Sequence, residues 1–199
     1  MSNSDNIFEK EEEYLLHTYK RIPIEISHGE GVYLFSVDGK KYLDFFSGLA
    51  VNALGYGNTK VIQAIEEQIK KFIHIANYYI NAPQVEFAER LVKLSGLSKV
   101  FFTNSGTEAA EASLKLVRKY FGPDKKIITL SNAFHGRTYG SLSLSGKDKY
   151  KKNFSPLLPN ILQLEFNDIG QLENHVDINT AAVYIEFVQG EGGIKVASY

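Results

Sequence analysis

Three short stretches carry most of the chemistry this chain could do: Ser105-Gly106-Thr107, Phe134-His135-Gly136-Arg137-Thr138 and Glu186-Phe187-Val188-Gln189-Gly190-Glu191-Gly192-Gly193. Ser105 stands three residues before Glu108, the spacing of a capping box, so it is expected to cap a helix and leave the amides of Gly106 and Thr107 in the first turn. Amides there have no intrahelical acceptor and lie at the positive end of the helix dipole, so they could hold a phosphate without lysine or arginine. Gly106 would let the ligand come close to the backbone. An ordinary capped helix that binds nothing has the same spacing. In the second stretch, Phe134 could stack on a heteroaromatic ring, and Arg137 could clamp a carboxylate with two parallel hydrogen bonds. The third offers the carboxylates of Glu186 and Glu191. Taken singly, Phe134 also reads as core, His135 as a satisfied loop histidine, Arg137 as half of a surface ion pair and Glu191 as a solvated side chain. Taken together, the groups suit a flat phosphorylated cofactor and an amino-acid substrate.

For the stretches to act together, the elements before them must bring them to one place. Val100, Phe101 and Phe102 read as a short strand, and Glu108 onward as a helix with Ala110, Leu114, Val117 and Phe121 on one face, stopped by Gly122-Pro123. Ile127 to Leu130, Ile161 to Leu164 and Ala181 to Ile185 read as further strands, and Asp168 as the cap of a short helix around Leu172 and Val176. Strands alternating with helices predict an α/β fold: a mostly parallel sheet with helices on both faces, whose ligands gather at the carboxyl ends of the strands. All three stretches follow strands, so they should meet at one edge.

Upstream, Phe8 to Lys20 has weak helical spacing and reads as an arm that Pro23 ends. Alternating residues from Val32 to Phe45 around Asp38-Gly39 predict a small antiparallel hairpin, and Asp44 to Gly57 a packed loop. Asn58 should cap a helix with Val61, Ile62, Ile65, Ile69 and Phe72 on one face; Pro83 should open a second, ended by Gly96. These readings divide the chain into an arm and hairpin over 1–57 and an incomplete cofactor-binding large domain over 58–199.

Composition narrows the classes. The chain has 199 residues, 44% of them hydrophobic, which is enough for a core. With 22 basic and 23 acidic residues its net charge is -1, so no nucleic-acid surface is expected. There is no cysteine, hence neither disulfide nor thiolate metal site, and no metal site is expected elsewhere. The polar, acidic start lacks the features of a secretory signal, and no apolar run is long enough for a bilayer, so the expected location is the cytoplasm, without membrane contact. Neither a strand-linked Gly-x-Gly-x-x-Gly nor a Gly-x-x-x-x-Gly-Lys-Ser/Thr loop is present, which weighs against a nucleotide-binding module.

The segments Asn104-Ser105-Gly106-Thr107-Glu108-Ala109, Phe134-His135-Gly136-Arg137-Thr138 and Gln189-Gly190-Glu191-Gly192-Gly193 resemble the class III pyridoxal-phosphate-dependent aminotransferases, and within that family the acetylornithine branch. His17-Thr18-Tyr19-Lys20-Arg21, Gly29-Glu30-Gly31, Tyr42-Leu43-Asp44-Phe45 and Ala50-Val51-Asn52-Ala53-Leu54-Gly55 extend the likeness over nearly the whole chain. The resemblance implies the large domain of a fold-type I enzyme with pyridoxal 5'-phosphate as cofactor. It implies that Ser105, Gly106 and Thr107 hold the phosphate, that Phe134 covers the pyridine ring with His135 beside it, and that Arg137 binds the substrate α-carboxylate. Glu191 matches a substrate-side glutamate that pairs with a mobile arginine from later in the chain, and Glu186 an acidic position near the cofactor. N-acetylornithine and 2-oxoglutarate are the implied substrates, ornithine or 4-aminobutyrate the alternative donors, and a homodimer the implied state of the complete protein.

Two departures stand out. Gly55-Tyr56-Gly57-Asn58-Thr59 replaces the family's glycine-histidine-x-histidine-proline, and Phe187 replaces its usual proline. The family's Schiff-base lysine and the aspartate that pairs with the ring nitrogen both lie beyond the third loop, past Tyr199. The chain is therefore expected to be an N-terminal portion, inactive alone, with no catalytic residue of its own. A non-catalytic protein that keeps the fold for assembly is the other reading.

Overall fold

The alternation around Asp38-Gly39 produces three antiparallel strands, β1 (Ile26–Glu30), β2 (Tyr33–Ser36) and β3 (Lys41–Leu43), in the order β1-β2-β3. Tyr33 pairs with Leu43 and Leu34 with Tyr42 across the turn. Lys40 Nζ lies 2.8 Å from the Asp38 carboxylate and the Ser36 hydroxyl donates to it, which together push the Asp38 pKa down to about 2. The computed structural model describes residues 3–198. It divides into two units, Met1–Ala82 and Pro83–Tyr199, each taken by itself below. The division at residue 58 expected from the sequence falls inside the first unit.

In the first unit, α1 (Asn3–Tyr14) ends at Tyr14 rather than continuing to Lys20. Leu15 and Leu16 beyond it are exposed, so no buried face holds a further turn in place. A single turn, α2 (Ser47–Ala50), carries Gly48 and Leu49 at positive φ and lies within the loop expected over 44–57. Tyr56 bonds Gly31 in both directions through the backbone, at 3.0 and 2.7 Å, and donates its hydroxyl to Asp44 at 2.6 Å. Tyr56 therefore staples the loop to the hairpin. As expected, Asn58 caps α3 (Thr59–Ile69) by accepting from the Lys60 and Val61 amides.

In the second unit, α4 (Ala82–Ser95) ends at Gly96, whose φ is +71°. After it come α5 (Gly106–Phe121), β4 (Lys126–Leu130), α6 (Tyr139–Leu144), α7 (Asp148–Lys151), β5 (Ile161–Leu164), α8 (Ile169–His175), β6 (Thr180–Val183) and a short ribbon, β7 (Val188–Gln189) with β8 (Lys195–Val196). The main sheet is parallel in the order β5-β4-β6, with Ile128 opposite Leu162 and Ile127 opposite Ala182. The central strand β4 feeds both faces, as the two-residue period of a strand requires. Ile127 packs with Leu114 and Leu144 from α5 and α6, while Ile128 and Leu130 pack with Leu164 and with the partly buried Leu172 of α8. Helices thus cover both faces, as the alternation predicted.

The strand expected over Val100 to Phe102 is not formed: among the described residues no segment pairs with it. Its three apolar residues have strand propensity, but a strand exists only when a neighbour supplies the ladder. No helix among the described residues is long and apolar enough to cross a membrane.

Candidate functional site

The site is built at the carboxyl ends of β4 and β6, which are hydrogen-bonded neighbours, and at the start of α5. Ser105 is extended, with φ -153° and ψ 160°, and its Oγ accepts from the Glu108 amide at 3.1 Å. The Glu108 carboxylate returns one residue further back than in a standard capping box, accepting from the Asn104 amide at 2.6 Å. The Gly106 and Thr107 amides are left at the positive end of a 16-residue helix. A Cβ on Gly106 would meet nothing within 4 Å, so no side chain packs against this glycine.

Thr107 joins this turn to the loop after β4. A Cβ on Gly136, whose φ is +128°, would come within 3.0 Å of Thr107 Oγ1 and of Ser141 Oγ, so only glycine fits between α5 and α6. Several bonds then fix the loop. The His135 amide donates to Ser145 Oγ at 3.1 Å, and Ser145 Oγ donates to the Gly136 carbonyl at 3.2 Å. Glu111, one turn into α5, accepts from the Thr138 hydroxyl and from the Ser141 amide.

The loop after β6 closes on the same place. Glu186 Oε2 accepts from the Phe134 amide at 2.9 Å. Gln189 is fully buried and donates from Nε2 to the Ser131 carbonyl at 2.9 Å, while its Oε1 has no hydrogen-bond partner among the described residues. Lys147 donates to the Glu191 carbonyl and lies 3.4 Å from its carboxylate. Glu191 is therefore tied to residues within this unit.

The aromatic and cationic groups take up what remains. Phe134 is half-buried and meets Tyr150 edge to face, with centroids 5.9 Å apart. The exposed Arg137 places its guanidinium carbon 5.8 Å from the Phe134 centroid and 5.6 Å from that of Tyr150. The His135 ring meets Tyr184 edge to face at 5.8 Å, and Tyr184 donates to Ser113 Oγ at 3.0 Å. Burial lowers the His135 pKa, so the imidazole is neutral at physiological pH, and its Nε2 is buried without a partner among the described residues. Burial likewise raises the Tyr184 phenol.

All the residues singled out from the sequence, Ser105, Gly106, Thr107, Phe134, His135, Arg137, Glu186 and Glu191, fall on these three converging segments. Missing from that set were Glu111, Ser145, Lys147, Tyr150 and Tyr184. None of them sits in a motif, and each acts through a partner on another element. The result is a set of helix-start amides, a half-buried aromatic ring, a guanidinium within about 6 Å of two ring centroids and two anchored carboxylates.

Comparison with known proteins bears on what such a set does. The sequence pattern of the class-III aminotransferases matches residues 14–199. A protein of Aquifex aeolicus described as acetylornithine aminotransferase is 47% identical over 190 residues, covering 93% of this chain and 50% of that protein. The crystal structure of ornithine aminotransferase from Toxoplasma gondii superposes with a TM-score of 0.93 at 28% identity, covering 100% of this chain and 49% of the other. A second structure of that enzyme, described as having partial occupancy of pyridoxal phosphate at its active site, gives a TM-score of 0.91 at 29% identity, covering 98% and 48%. The chain spans about half the length of the relatives it matches.

Proposed function

The chain belongs to the class-III aminotransferase family, and from that membership we propose that it is the cofactor-binding N-terminal portion of a pyridoxal-phosphate enzyme. The reaction we assign is transfer of an amino group from N-acetylornithine to 2-oxoglutarate, a step of arginine biosynthesis. The observation that carries this reading is the convergence of the α5 start, the loop after β4 and the loop after β6 on one sheet edge. The relatives described as acetylornithine aminotransferase, 47% identical in Aquifex aeolicus and 44% in Methanocaldococcus jannaschii, support the acetylated donor.

The residues fit the cofactor. The amides of Gly106 and Thr107, in the first turn of α5, would donate hydrogen bonds to phosphate oxygens, with Ser105 fixing the turn. Phe134, held by Glu186 through its amide, offers a ring face, and the neutral His135 stands beside it without adding charge. Pyridoxal phosphate supplies the electron sink on which amino transfer depends. Arg137 binds the substrate carboxylate through its fork, and Glu191, held by Lys147, lies on the substrate side. In this reading the proton-transferring lysine comes from outside these 199 residues, and the functional division lies near residue 58. A homodimer in the cytoplasm is the state we propose for the complete protein.

Titration of the purified chain with pyridoxal phosphate and with pyridoxal, followed by absorbance, tests the phosphate cradle: binding should need the phosphate. An assay with N-acetylornithine and 2-oxoglutarate should show no turnover. Robust turnover by this chain alone contradicts the assignment of the lysine, and equal binding of the two vitamers contradicts the cradle.

A further inference from the structure

Arg137 is exposed, and a long exposed cation has many rotamers to lose before it can grip a carboxylate. Here the guanidinium carbon lies 5.8 Å from the Phe134 centroid and 5.6 Å from the Tyr150 centroid. The rings meet at 72° with centroids 5.9 Å apart, so they form two walls of one slot. Both are half-buried, and their backbones are fixed by bonds that do not involve Arg137: the Phe134 amide donates to Glu186, and in α7 the Tyr150 amide donates to the Lys147 carbonyl at 3.1 Å. Both distances lie within the range at which a ring's negative face attracts a cation. We propose that Tyr150 is a positioning residue for Arg137: its ring and that of Phe134 hold the guanidinium and aim its fork at the carboxylate of the incoming amino or keto acid. This rests on the reading of Arg137 as the carboxylate-binding group.

Two other cations share the Tyr150 ring, Lys149 at 4.8 Å and Lys147 at 5.9 Å from its centroid. Lys147 is already engaged with Glu191. Lys149 is thus the competitor that a test must separate from Arg137.

The experiment uses the full chain loaded with pyridoxal phosphate and two readouts, ring-current shifts of the Arg137 side-chain protons by NMR and calorimetric titration with 2-oxoglutarate. Tyr150→Leu should reduce the shifts and weaken binding about three- to thirtyfold, the span of a cation held at a partly exposed ring. Tyr150→Phe, which keeps the ring, should match the parent in both. Tyr150→Met fills similar space without a π face and serves where leucine disturbs folding, judged by the unfolding midpoint. Tyr150→Leu and Tyr150→Met with parental shifts and affinity overturn the proposal. So does Tyr150→Phe as weak as leucine, or Lys149→Met that reproduces the leucine loss. If the parent does not bind 2-oxoglutarate, or Arg137→Ala binds it as the parent does, the carboxylate reading of Arg137 fails instead. The NMR shifts then still report whether Tyr150 holds the guanidinium.

Discussion

Tight tolerances belong to single residues, and Gly136, between α5 and α6, is one of them. Gly136 has a positive φ and leaves no room for a Cβ beside Thr107 and Ser141. Gly136→Ala combines backbone strain with overpacking, and we expect a loss of about 2–4 kcal/mol in denaturant unfolding together with weaker pyridoxal phosphate binding. His135 gives a pH-dependent prediction. Its pKa is lowered by burial from the ordinary 6.5, so the unfolded chain binds this proton more tightly than the folded one. Its contribution is whole above about pH 7 and is lost as pH falls through the unfolded value toward the folded one. His135→Gln should therefore show a flatter dependence of the urea midpoint on pH between about 7 and 5.5 than the parent. A parent curve already flat over that interval contradicts the burial of a neutral imidazole.

At the scale of elements, caps decide where helices start, and the cap of α5 also sets the cradle. Ser105→Ala removes the acceptor of the Glu108 amide and should cost about 1 kcal/mol. It should weaken pyridoxal phosphate by a larger factor than Asp168→Ala, which uncaps α8 away from the site. Equal effects of the two on cofactor affinity would separate the α5 turn from binding. The caps at Asn58, Ser105 and Asp168 were legible in the sequence, because each bond spans two or three residues and its signal lies in the same short window. So were β4, β5 and β6, whose apolar runs are bounded by turn residues. The strand expected at Val100 to Phe102 did not form, because local propensity cannot supply the ladder that makes a strand.

For the whole molecule, large apolar side chains remain on the surface of both units. Phe45 is 90% exposed and Ile80 90% in the first, Phe101 78% and Ile178 91% in the second. Exposed apolar surface of this extent attracts further protein. We expect the isolated chain to bind a hydrophobic dye and to self-associate as its concentration rises, measured by sedimentation; a chain that stays monomeric and dye-free contradicts this. What the sequence determined by itself is the class of fold, the starts of α3, α5 and α8 and the residues on the three loops, since these depend on periodicity and on contacts a few positions apart. Only the tertiary structure decided how the loops are held. Glu111 reaches Thr138 and Ser141, Gln189 reaches Ser131, Lys147 reaches Glu191, and Tyr150 stands beside Arg137. The strand crossovers choose those partners: residues far apart in the chain become neighbours only once the parallel sheet has set which loops share an edge.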